Sequence, residues 1–262
     1  MKNYRIGVIG VGVVGSAIKK GFEALGHVVK TYDTAHKNSY ISDVLDTDII
    51  FICVPTPKSK DKSCDISNVL WTVERLADKH YEGIVAVKST VVPGTFKTLK
   101  KLFDPKRLAL VPEFLREQHA TSDFKENHNV LVIGTDNIEV FNLIKSCHGN
   151  YPKATNQVSP EEAEYVKYFS NAFKAYKTIF ASSFGKLCKL NKVNYDKILK
   201  CYELENVSET AYLKYKTNEG FGGMCLPKDT AALAKFSKDT KGMEHIDTFD
   251  WLIKQNNKFN EN

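Results

Sequence analysis

The sequence Tyr4-Arg5-Ile6-Gly7-Val8-Ile9-Gly10-Val11-Gly12-Val13-Val14-Gly15 decides the fold of the N-terminal half. Its first residues form an apolar run typical of a buried strand, and a helical pattern begins at Val13. The glycines between them have the spacing Gly-x-Gly-x-x-Gly, which allows a tight turn and a close approach of the backbone to a ligand. The motif therefore predicts a strand, a turn and a helix whose N-terminus accepts a phosphate group.

An acidic residue stands at the expected distance beyond this turn. Asp33 ends the second predicted strand, about 20 residues after the glycines. At that position a carboxylate bonds the ribose hydroxyls of a dinucleotide and disfavours a 2′-phosphate. The sequence therefore predicts a dinucleotide-binding domain with NAD as its cofactor.

Short apolar runs alternate with helical patterns up to about residue 135. The predicted strands are Tyr4–Gly10, His27–Asp33, Asp48–Val54, Gly83–Lys88, Leu108–Pro112 and Val130–Gly134. The predicted helices between them are Val13–Leu25, Ile66–Lys79, Gly94–Leu102 and Ile138–Cys147. This alternation predicts an α/β fold: an N-terminal Rossmann-type, doubly wound parallel sheet, followed by a long helix and a small all-helical domain.

The pattern changes after Tyr151-Pro152. One long helical stretch runs from Ser159 to Leu190, with Ser159 as its N-cap and Pro160 in the first turn. Shorter helical patterns follow, and the polar tail from Lys254 onward is expected to fray. We predict a NAD-binding Rossmann domain over residues 1–150 and a helical central and dimerisation domain over residues 151–262.

Composition limits the classes of function. The 262 residues carry 37 basic and 31 acidic side chains, a net charge of +6, without a basic block that would indicate a nucleic-acid partner. No run approaches about 18 apolar residues, so no membrane span is expected. The chain opens on a strand rather than a cleavable leader, which predicts a cytoplasmic location. The six cysteines lack metal-binding spacing, so no metal is expected.

A glycine-rich segment near the C-terminus contains a candidate nucleophile. In Gly220-Phe221-Gly222-Gly223-Met224-Cys225-Leu226-Pro227-Lys228-Asp229, a cysteine stands between three glycines and a helix start. A nearby lysine and a helix N-terminus both favour the thiolate, and glycines let a substrate carbon approach the sulfur. Asp229 lies near the thiol if the helix begins at Pro227. Cys225 is the expected nucleophile.

Six motifs in order carry a resemblance to a known family. They are Gly10–Gly15, Cys53–Pro57, Lys88–Thr95, Pro112–Glu117, Ala163–Lys167 with Asn171, and Gly220–Asp229. Over nearly the whole chain they resemble the UDP-glucose/GDP-mannose dehydrogenases, which are nucleotide-sugar dehydrogenases. The resemblance implies oxidation of C6 of a nucleotide-bound hexose to a carboxylate, with two NAD, through an enzyme thiohemiacetal and a thioester.

The resemblance also implies a role for each residue at a matching position. The expected catalytic residues are Cys225 as nucleophile, Asp229 and Glu113 in proton transfer and thioester hydrolysis, Thr90 holding the catalytic water, Lys167 and Asn171 stabilising the oxyanion, and Glu117 ordering the site. The expected cofactor contacts are Gly10, Gly12, Val13, Val14, Gly15, Asp33, Val54, Pro55, Thr56, Thr90, Glu117 and Lys228. The expected substrate contacts are Phe114, Leu115, Arg116, Lys167, Asn171, Phe221 and Gly222. Lys167 and Asn171 are four residues apart, so one helix face presents two donors to one oxygen.

The chain departs from the family pattern in its substrate-binding half. We expect it to lack the second doubly wound domain that supplies most of the nucleotide-binding surface, and no arginine follows Arg116. Gln118 and Asn129 replace a common Gly and Arg, and Ser182-Ser183 replaces an Asn-Glu pair. Losing two charge-assisted hydrogen bonds of about 1.5–3 kcal/mol each would weaken diphosphate binding by about two to four decades.

Three hypotheses about function remain open. The first is a nucleotide-sugar 6-dehydrogenase that acts on a UDP-hexose. The second is a two-electron β-hydroxyacid-type dehydrogenase, in which Cys225 would be idle. The third is a non-catalytic NAD-binding module, or a subunit that needs a partner chain. The apolar residues Val166, Phe169, Phe173 and Phe180 of helix 159–190 predict a homodimer, or alternatively a cap on the Rossmann domain.

Overall fold

The chain forms two compact units. The computed structural model describes residues 2–59, 63–205, 212–213, 219–242 and 247–260. The first unit, named here the sheet unit, comprises Met1–Pro57 and Asp65–Lys167, and the second, the helical unit, comprises Lys58–Cys64 and Tyr168–Asn262. The domain boundary inferred from the sequence between residues 150 and 151 stays a prediction.

The sheet unit contains seven strands in the order β2-β1-β3-β4-β5-β6-β7. They are β1 (Arg5–Ile9), β2 (Val28–Tyr32), β3 (Ile49–Ile52), β4 (Ile84–Val87), β5 (Leu108–Leu110), β6 (Val130–Gly134) and β7 (Ala154–Val158). Five helices accompany them: α1 (Val13–Ala24), α2 (Ser67–Asp78), α3 (Thr95–Leu102), α4 (Ala120–Lys125) and α5 (Ile138–His148). Because β2 and β3 flank β1 on opposite sides, the chain switches direction beside the glycine turn, where doubly wound folds bind ligands. The predicted α/β fold class is confirmed.

Apolar side chains cover both faces of this sheet. Ile50 and Ile52 point into one buried cluster, and Ile49 and Phe51 into another. Every residue of β3 is fully buried. This two-sided burial explains why the strands read as continuous apolar runs rather than as alternating patterns.

Two strands differ from the expected all-parallel sheet. β6 is antiparallel to β5, and the two strands pair through their last residues, Leu110 and Gly134. β7 is parallel to β6 and was not predicted, because its sequence Ala-Thr-Asn-Gln-Val is polar and partly exposed. Val158, the last residue of β7, pairs with Gly134. The next helix therefore begins beside the carboxyl end of β5.

That helix, α6 (Pro160–Leu190), begins with the predicted cap. The N–H of Ser159 donates to Oε2 of Glu162 at 2.7 Å, and the N–H of Glu162 donates to Oγ of Ser159 at 3.1 Å. Such a reciprocal pair satisfies two backbone donors of the first turn. A Cβ on Gly134 would lie 2.4 Å from Cβ of Ala163, so glycine lets the first turn of α6 pack closely on β6.

In its described residues, the helical unit contains most of α6 and three further helices, α7 (Tyr195–Glu205), α8 (Leu226–Lys238) and α9 (Thr248–Asn260). The predicted long helix and helical C-terminal region are confirmed. The expected fraying of the tail from Lys254 is wrong up to Asn260, because Leu252 and Asn256 bury one face of α9. Residues 261–262 lie outside the described part of the chain. Within the described ranges, every helix is too short or too polar to cross a bilayer.

Each unit contains one of the two tryptophans. In the sheet unit, the guanidinium of Arg75 lies 5.4 Å from the ring centre of Trp71 on α2. In the helical unit, Trp251 of α9 stacks on Tyr176 of α6 with ring centroids 6.2 Å apart. Both indoles are therefore held by a neighbouring side chain.

Two neighbouring histidines of the sheet unit, the buried His148 and the half-buried His128, pack against each other. His148 is fully buried, with Nδ1 2.8 Å from the carbonyl oxygen of Ile144 and Nε2 without a partner. His128 packs against it with ring centroids 5.8 Å apart. Burial and the charge of Lys88 hold the pKa of His148 well below its ordinary value and lower the pKa of His128 to about 4. Both rings are neutral at pH 7.

Because the pKa values of both histidines are lowered in the folded protein, we expect the protein to lose stability in mild acid. Their folded pKa values lie below the unfolded value of about 6.5, so the unfolded chain binds more protons as the pH falls through this window. Their full contribution is present above about pH 6.5, and each histidine removes about 1.4 kcal/mol of unfolding free energy per pH unit below it. Urea unfolding at about pH 7 and about pH 5 measures this slope. His148→Gln should flatten it, and an unchanged slope in this variant would contradict the prediction.

Candidate active site

The glycine turn predicted between β1 and α1 is present. Gly10 has a φ of +88°, and a Cβ there would lie 2.7 Å from the carbonyl oxygen of Cys53. A Cβ on Gly15 would lie 1.9 Å from the carbonyl oxygen of Gly10. Gly12, the N-cap of α1, differs because an added Cβ meets no atom within 4 Å. Gly10 and Gly15 are therefore required by the fold, whereas Gly12 leaves open space at a helix N-terminus.

Asp33 follows β2 and contacts this turn. Its Oδ2 accepts the N–H of Val11 at 2.6 Å, and its Oδ1 accepts the N–H of Ala35 at 2.8 Å. Burial alone would raise the pKa of Asp33, but the two backbone hydrogen bonds outweigh it and lower the pKa below its ordinary value. A fixed carboxylate therefore stands where the sequence predicts a ribose contact.

A cavity of about 490 Å³ opens between α1 and the segment Glu117–Glu126. Its lining includes Val13 and Glu117, both predicted cofactor contacts, together with Ser16 and Lys125. Helix N-termini favour phosphate groups because their backbone N–H groups point outward. The space beside α1 and the donors at its N-terminus together fit the pyrophosphate of a dinucleotide.

The loops after β3 and β4 are tied to each other. Oγ1 of Thr56 donates to the carbonyl oxygen of Thr90 at 2.9 Å, and Oγ of Ser89 donates to the carbonyl oxygen of Val54 at 2.7 Å. A cavity of about 10 Å³ is lined by Ser89, Thr90 and Lys167, among others. This volume is close to the minimum that holds one water molecule. The structure thus brings Thr90 beside Val54 and Thr56. Ser89 takes part in the contact between the two loops, and the sequence motifs give it no role.

A buried ion pair joins the loop after β5 to α6. Nζ of Lys167 donates to the carbonyl oxygen of Glu113 at 2.7 Å and to its Oε1 at 3.3 Å. Oε2 of Glu113 accepts the N–H of Leu115 at 2.6 Å. The two charged side chains are only 7% and 10% exposed. A carboxylate predicted for proton transfer and an ammonium predicted for oxyanion stabilisation are therefore held together away from bulk water.

Arg116, predicted to contact substrate, forms a forked ion pair with Asp123 of α4. Nε and Nη2 of Arg116 donate to the two carboxylate oxygens at 2.9 and 2.6 Å, and its backbone N–H donates at 2.9 Å. The hydrogen bond from the guanidinium is the largest cause of the lowered pKa of Asp123. Asp123 was missed because its partner is seven residues away, beyond the three- or four-residue spacing at which helical side chains pair.

Glu164 is a third residue, after Ser89 and Asp123, to which the sequence motifs give no role. This buried carboxylate of α6 accepts the N–H of Gly94 and the N–H of Phe96, each at 2.6 Å. Burial raises the pKa of Glu164 in spite of these bonds. Its position three residues before Lys167, on the same helix face, is the signal that would have found it. Glu164 fixes the segment that leads from Thr90 into α3.

The helical unit brings together three predicted residues. Nδ2 of Asn171 donates to Oδ2 of Asp229 at 2.6 Å, and both side chains are buried. Nζ of Lys228 lies 2.7 Å from Oδ1 of Asp229, in an ion pair without an aligned hydrogen bond. Asp229 is thus a buried carboxylate between an amide and an ammonium group.

Cys225 is exposed and forms the N-cap of α8, with Pro227 in the first turn. Its carbonyl oxygen accepts the N–H of Asp229 at 2.8 Å. An added Cβ at Gly222 meets no atom within 4 Å, whereas Phe221 is buried in the core of the helical unit. The thiol therefore lies at a helix N-terminus beside open glycine backbone. The catalytic and binding roles given to these residues stay predictions.

Comparison with known proteins identifies the family. Residues 34–151 match the NAD-binding domain of the UDP-glucose/GDP-mannose dehydrogenase family, and residues 161–260 match its central domain. The UDP-glucose 6-dehydrogenase AglM of Haloferax volcanii is 31% identical over 87% of this chain and 64% of its own length. YwqF, a UDP-glucose 6-dehydrogenase of Bacillus subtilis, is 31% identical over 84% of this chain and 51% of its own. The chain spans less than two thirds of these relatives.

Solved structures of dehydrogenases in this family share the fold of the chain. A UDP-glucose dehydrogenase from the archaeon Pyrobaculum islandicum superimposes with a TM-score of 0.82 at 28% identity, over 99% of this chain and 68% of that one. A ternary complex of GDP-mannose dehydrogenase from Pseudomonas aeruginosa gives a TM-score of 0.69 at 26% identity, over 97% and 69%. Two domain matches and a shared fold lead to one conclusion: this chain belongs to the UDP-glucose/GDP-mannose dehydrogenase family and contains its NAD-binding and central domains.

Proposed function

We propose that this chain oxidises C6 of a nucleotide sugar with NAD, in a reaction of the UDP-glucose to UDP-glucuronate type. The observation that carries the proposal is the exposed thiol of Cys225 at the N-terminus of α8, four residues before the buried Asp229. A two-electron β-hydroxyacid dehydrogenase needs no nucleophile, so this arrangement favours the four-electron reaction over it.

NAD supplies the hydride acceptor for both oxidations. The N-terminus of α1 at Gly12, Val13 and Val14 would hold its pyrophosphate, and Asp33 its ribose. The open space at Gly12 and the ionised state of Asp33 support this assignment. The remaining proposed cofactor contacts are Gly10, Gly15, Val54, Pro55, Thr56, Thr90, Glu117 and Lys228.

The side chains of this protein would supply the nucleophile, the donors to the oxygen at C6 and the groups that transfer protons. Sγ of Cys225 would add to the C6 aldehyde, and Lys167 and Asn171 would donate to the resulting oxygen. Removing one such donor typically costs about 2.7–4 kcal/mol of the barrier. Asp229, hydrogen-bonded to Asn171, would accept the hydroxyl proton of the thiohemiacetal. Oxidation of the thiohemiacetal leaves a thioester on the sulfur.

Hydrolysis of the thioester needs a water molecule and a base. Thr90 and Lys167 both border the cavity of about 10 Å³, which is close to the minimum that holds one water molecule. Glu113, held by Lys167, is the proposed base. Attack by the water then forms the carboxylate and returns the thiol of Cys225. Over the cycle, one alcohol, one water and two NAD⁺ give one carboxylate, two NADH and three protons, which leave to solvent.

The proposed substrate is a UDP-hexose, as the names of the relatives suggest. Phe114, Leu115, Arg116 and Gly222 are the remaining proposed contacts, with Phe221 behind the loop. The guanidinium of Arg116 is already paired with Asp123, which supports weak rather than tight binding of the diphosphate.

The proposed partner is a second copy of the chain, packed along α6. Phe169, Phe173 and Phe180 of this helix are 76%, 52% and 59% exposed. Phe173 and Phe180 also line a groove of about 450 Å³ in the helical unit. Large apolar side chains in a row on one helix favour burial against another helix.

Gly12→Ala separates binding from folding. The added methyl has open space in the protein but occupies the place of the pyrophosphate, so we expect NAD affinity at least about tenfold weaker. The weaker N-cap should cost only about 1 kcal/mol of stability. Gly15→Ala is the matched control, because its Cβ meets backbone at 1.9 Å and should destabilise the fold. Calorimetric titration with NAD and thermal melts measure both effects, and normal NAD affinity in Gly12→Ala would refute the assignment.

Cys225→Ser tests the chemistry. With UDP-glucose and NAD, the wild type should release two NADH per sugar and form an acid, with a thioester on Cys225 detectable by mass spectrometry. Cys225→Ser should form no acid, because its hydroxyl is a far weaker nucleophile than a thiolate. Cys201→Ser removes the other exposed cysteine and should behave as wild type. Unchanged acid formation in Cys225→Ser would refute the thioester route.

Phe180→Glu tests the dimer. A charge on the exposed face of α6 opposes burial against a second copy, so light scattering should give one chain mass for the variant and two for wild type. Ile138→Glu alters an equally exposed apolar residue of the sheet unit and should leave the mass at two chains. A wild type that elutes with the mass of one chain would contradict the proposal.

A further inference from the structure

We propose that Asn256 of α9 is a positioning residue for the nucleophile loop, defined here as residues 219–225. Its side chain fixes the start of this loop and thereby sets where the thiol of Cys225 lies. The inference rests on the proposed function, in which Cys225 is the nucleophile. The sequence motifs give no role to Asn256, and the polar composition from Lys254 onward predicts fraying there.

The contact between Asn256 and the loop is short and buried. The N–H of Phe221 donates to Oδ1 of Asn256 at 2.6 Å, and the Asn256 side chain is buried. A Cβ on Gly220 would lie 2.1 Å from the same oxygen, so the preceding glycine is needed for this approach. A buried backbone donor that loses its acceptor carries the full cost of its desolvation. Asn256 is therefore the acceptor for the buried N–H of Phe221, next to the N–H of Gly220, which Oδ1 of Asn260 accepts at 3.0 Å.

Neighbouring contacts hold the same end of the loop. Oγ of the buried Ser182, on α6, donates to the carbonyl oxygen of Glu219 at 2.9 Å. The Phe221 ring packs in a cluster with Ala175, Ile179 and Leu252. Residues 219–221 are thus fastened to both α6 and α9.

The middle of the loop has no comparable support from packing. Among the residues that the structure describes, added Cβ atoms at Gly222 and Gly223 meet nothing within 4 Å, and Met224 is 74% exposed. The path from Phe221 to Cys225 is therefore set by its two ends. One end is the first turn of α8, and the other is residues 219–221, where the contact of Asn256 with Phe221 is the hydrogen bond nearest to the thiol.

Labelling of cysteines with iodoacetamide tests this role without any nucleotide sugar. Cys225 lies in the tryptic peptide 217–228 and the exposed Cys201 in the peptide 201–214, so mass spectrometry gives both rates from one sample. Asn256→Leu removes the acceptor at similar size, and Asn256→Asp keeps an acceptor oxygen. We expect Asn256→Leu to lower the labelling rate of Cys225 relative to Cys201 by about fivefold or more near neutral pH. Asn256→Asp should stay within about twofold of wild type.

Two further variants separate positioning from general destabilisation. Asn257→Leu changes the exposed neighbour on the same helix. Tyr195→Phe removes a buried hydrogen bond of 2.6 Å to the carbonyl oxygen of Leu213, elsewhere in the helical unit. Both should leave the labelling ratio unchanged, and labelling of the buried Cys188 reports any opening of the unit. An equal fall in Tyr195→Phe and Asn256→Leu, or no fall in Asn256→Leu, would overturn the proposal.

Measuring UDP-glucose turnover beside cysteine labelling tests the positioning role separately from the proposed dehydrogenase activity. If wild type oxidises UDP-glucose, Asn256→Leu should lower kcat while the KM for NAD stays near that of wild type, because the glycine turn is in the other unit. A wild type without turnover, combined with a fallen labelling ratio in Asn256→Leu, would refute the dehydrogenase and retain the positioning role. Normal turnover and labelling in Asn256→Leu would refute the positioning role alone.

Discussion

The pairing of Gly134 with Leu110 is the constraint on which the polar contacts of the sheet unit depend. It ends β6 beside the carboxyl end of β5, and β7 then delivers α6 to the same place. Because Gly134 has no side chain, the first turn of α6 packs directly on the strand. Glu164 thereby reaches the amides at the start of α3, and Lys167 reaches the loop that follows β5.

Several of the buried charged groups are paired. Taking a charge out of water is costly unless it is paired and hydrogen-bonded, and a well-packed apolar core is often at least as stable. Lys167 with Glu113, and Asp229 with Asn171 and Lys228, satisfy the pairing condition in their own units. Stability alone gives little reason to keep such groups, so their presence agrees with a chemical role.

The sequence patterns predicted the elements that depend on interactions between residues close together in the chain. Strands β1 to β5 appear within two residues of the expected bounds, because buried apolar runs and glycine turns are short-range signals. The direction of β6, the polar edge strand β7 and the helical tail depend on distant partners and were missed. The same holds at the site: the motifs named Lys167 and Cys225, but Glu164 bonds residues about seventy positions away and Asn256 bonds Phe221 across thirty-five.

The two tryptophans give each unit its own spectroscopic reporter. Trp71 and Trp251 are each partly exposed and each held by a neighbour within the same unit. Replacing one indole by phenylalanine leaves an emission signal that follows a single unit. Fluorescence during denaturation can then distinguish a chain that melts in one cooperative step from one whose halves melt in succession.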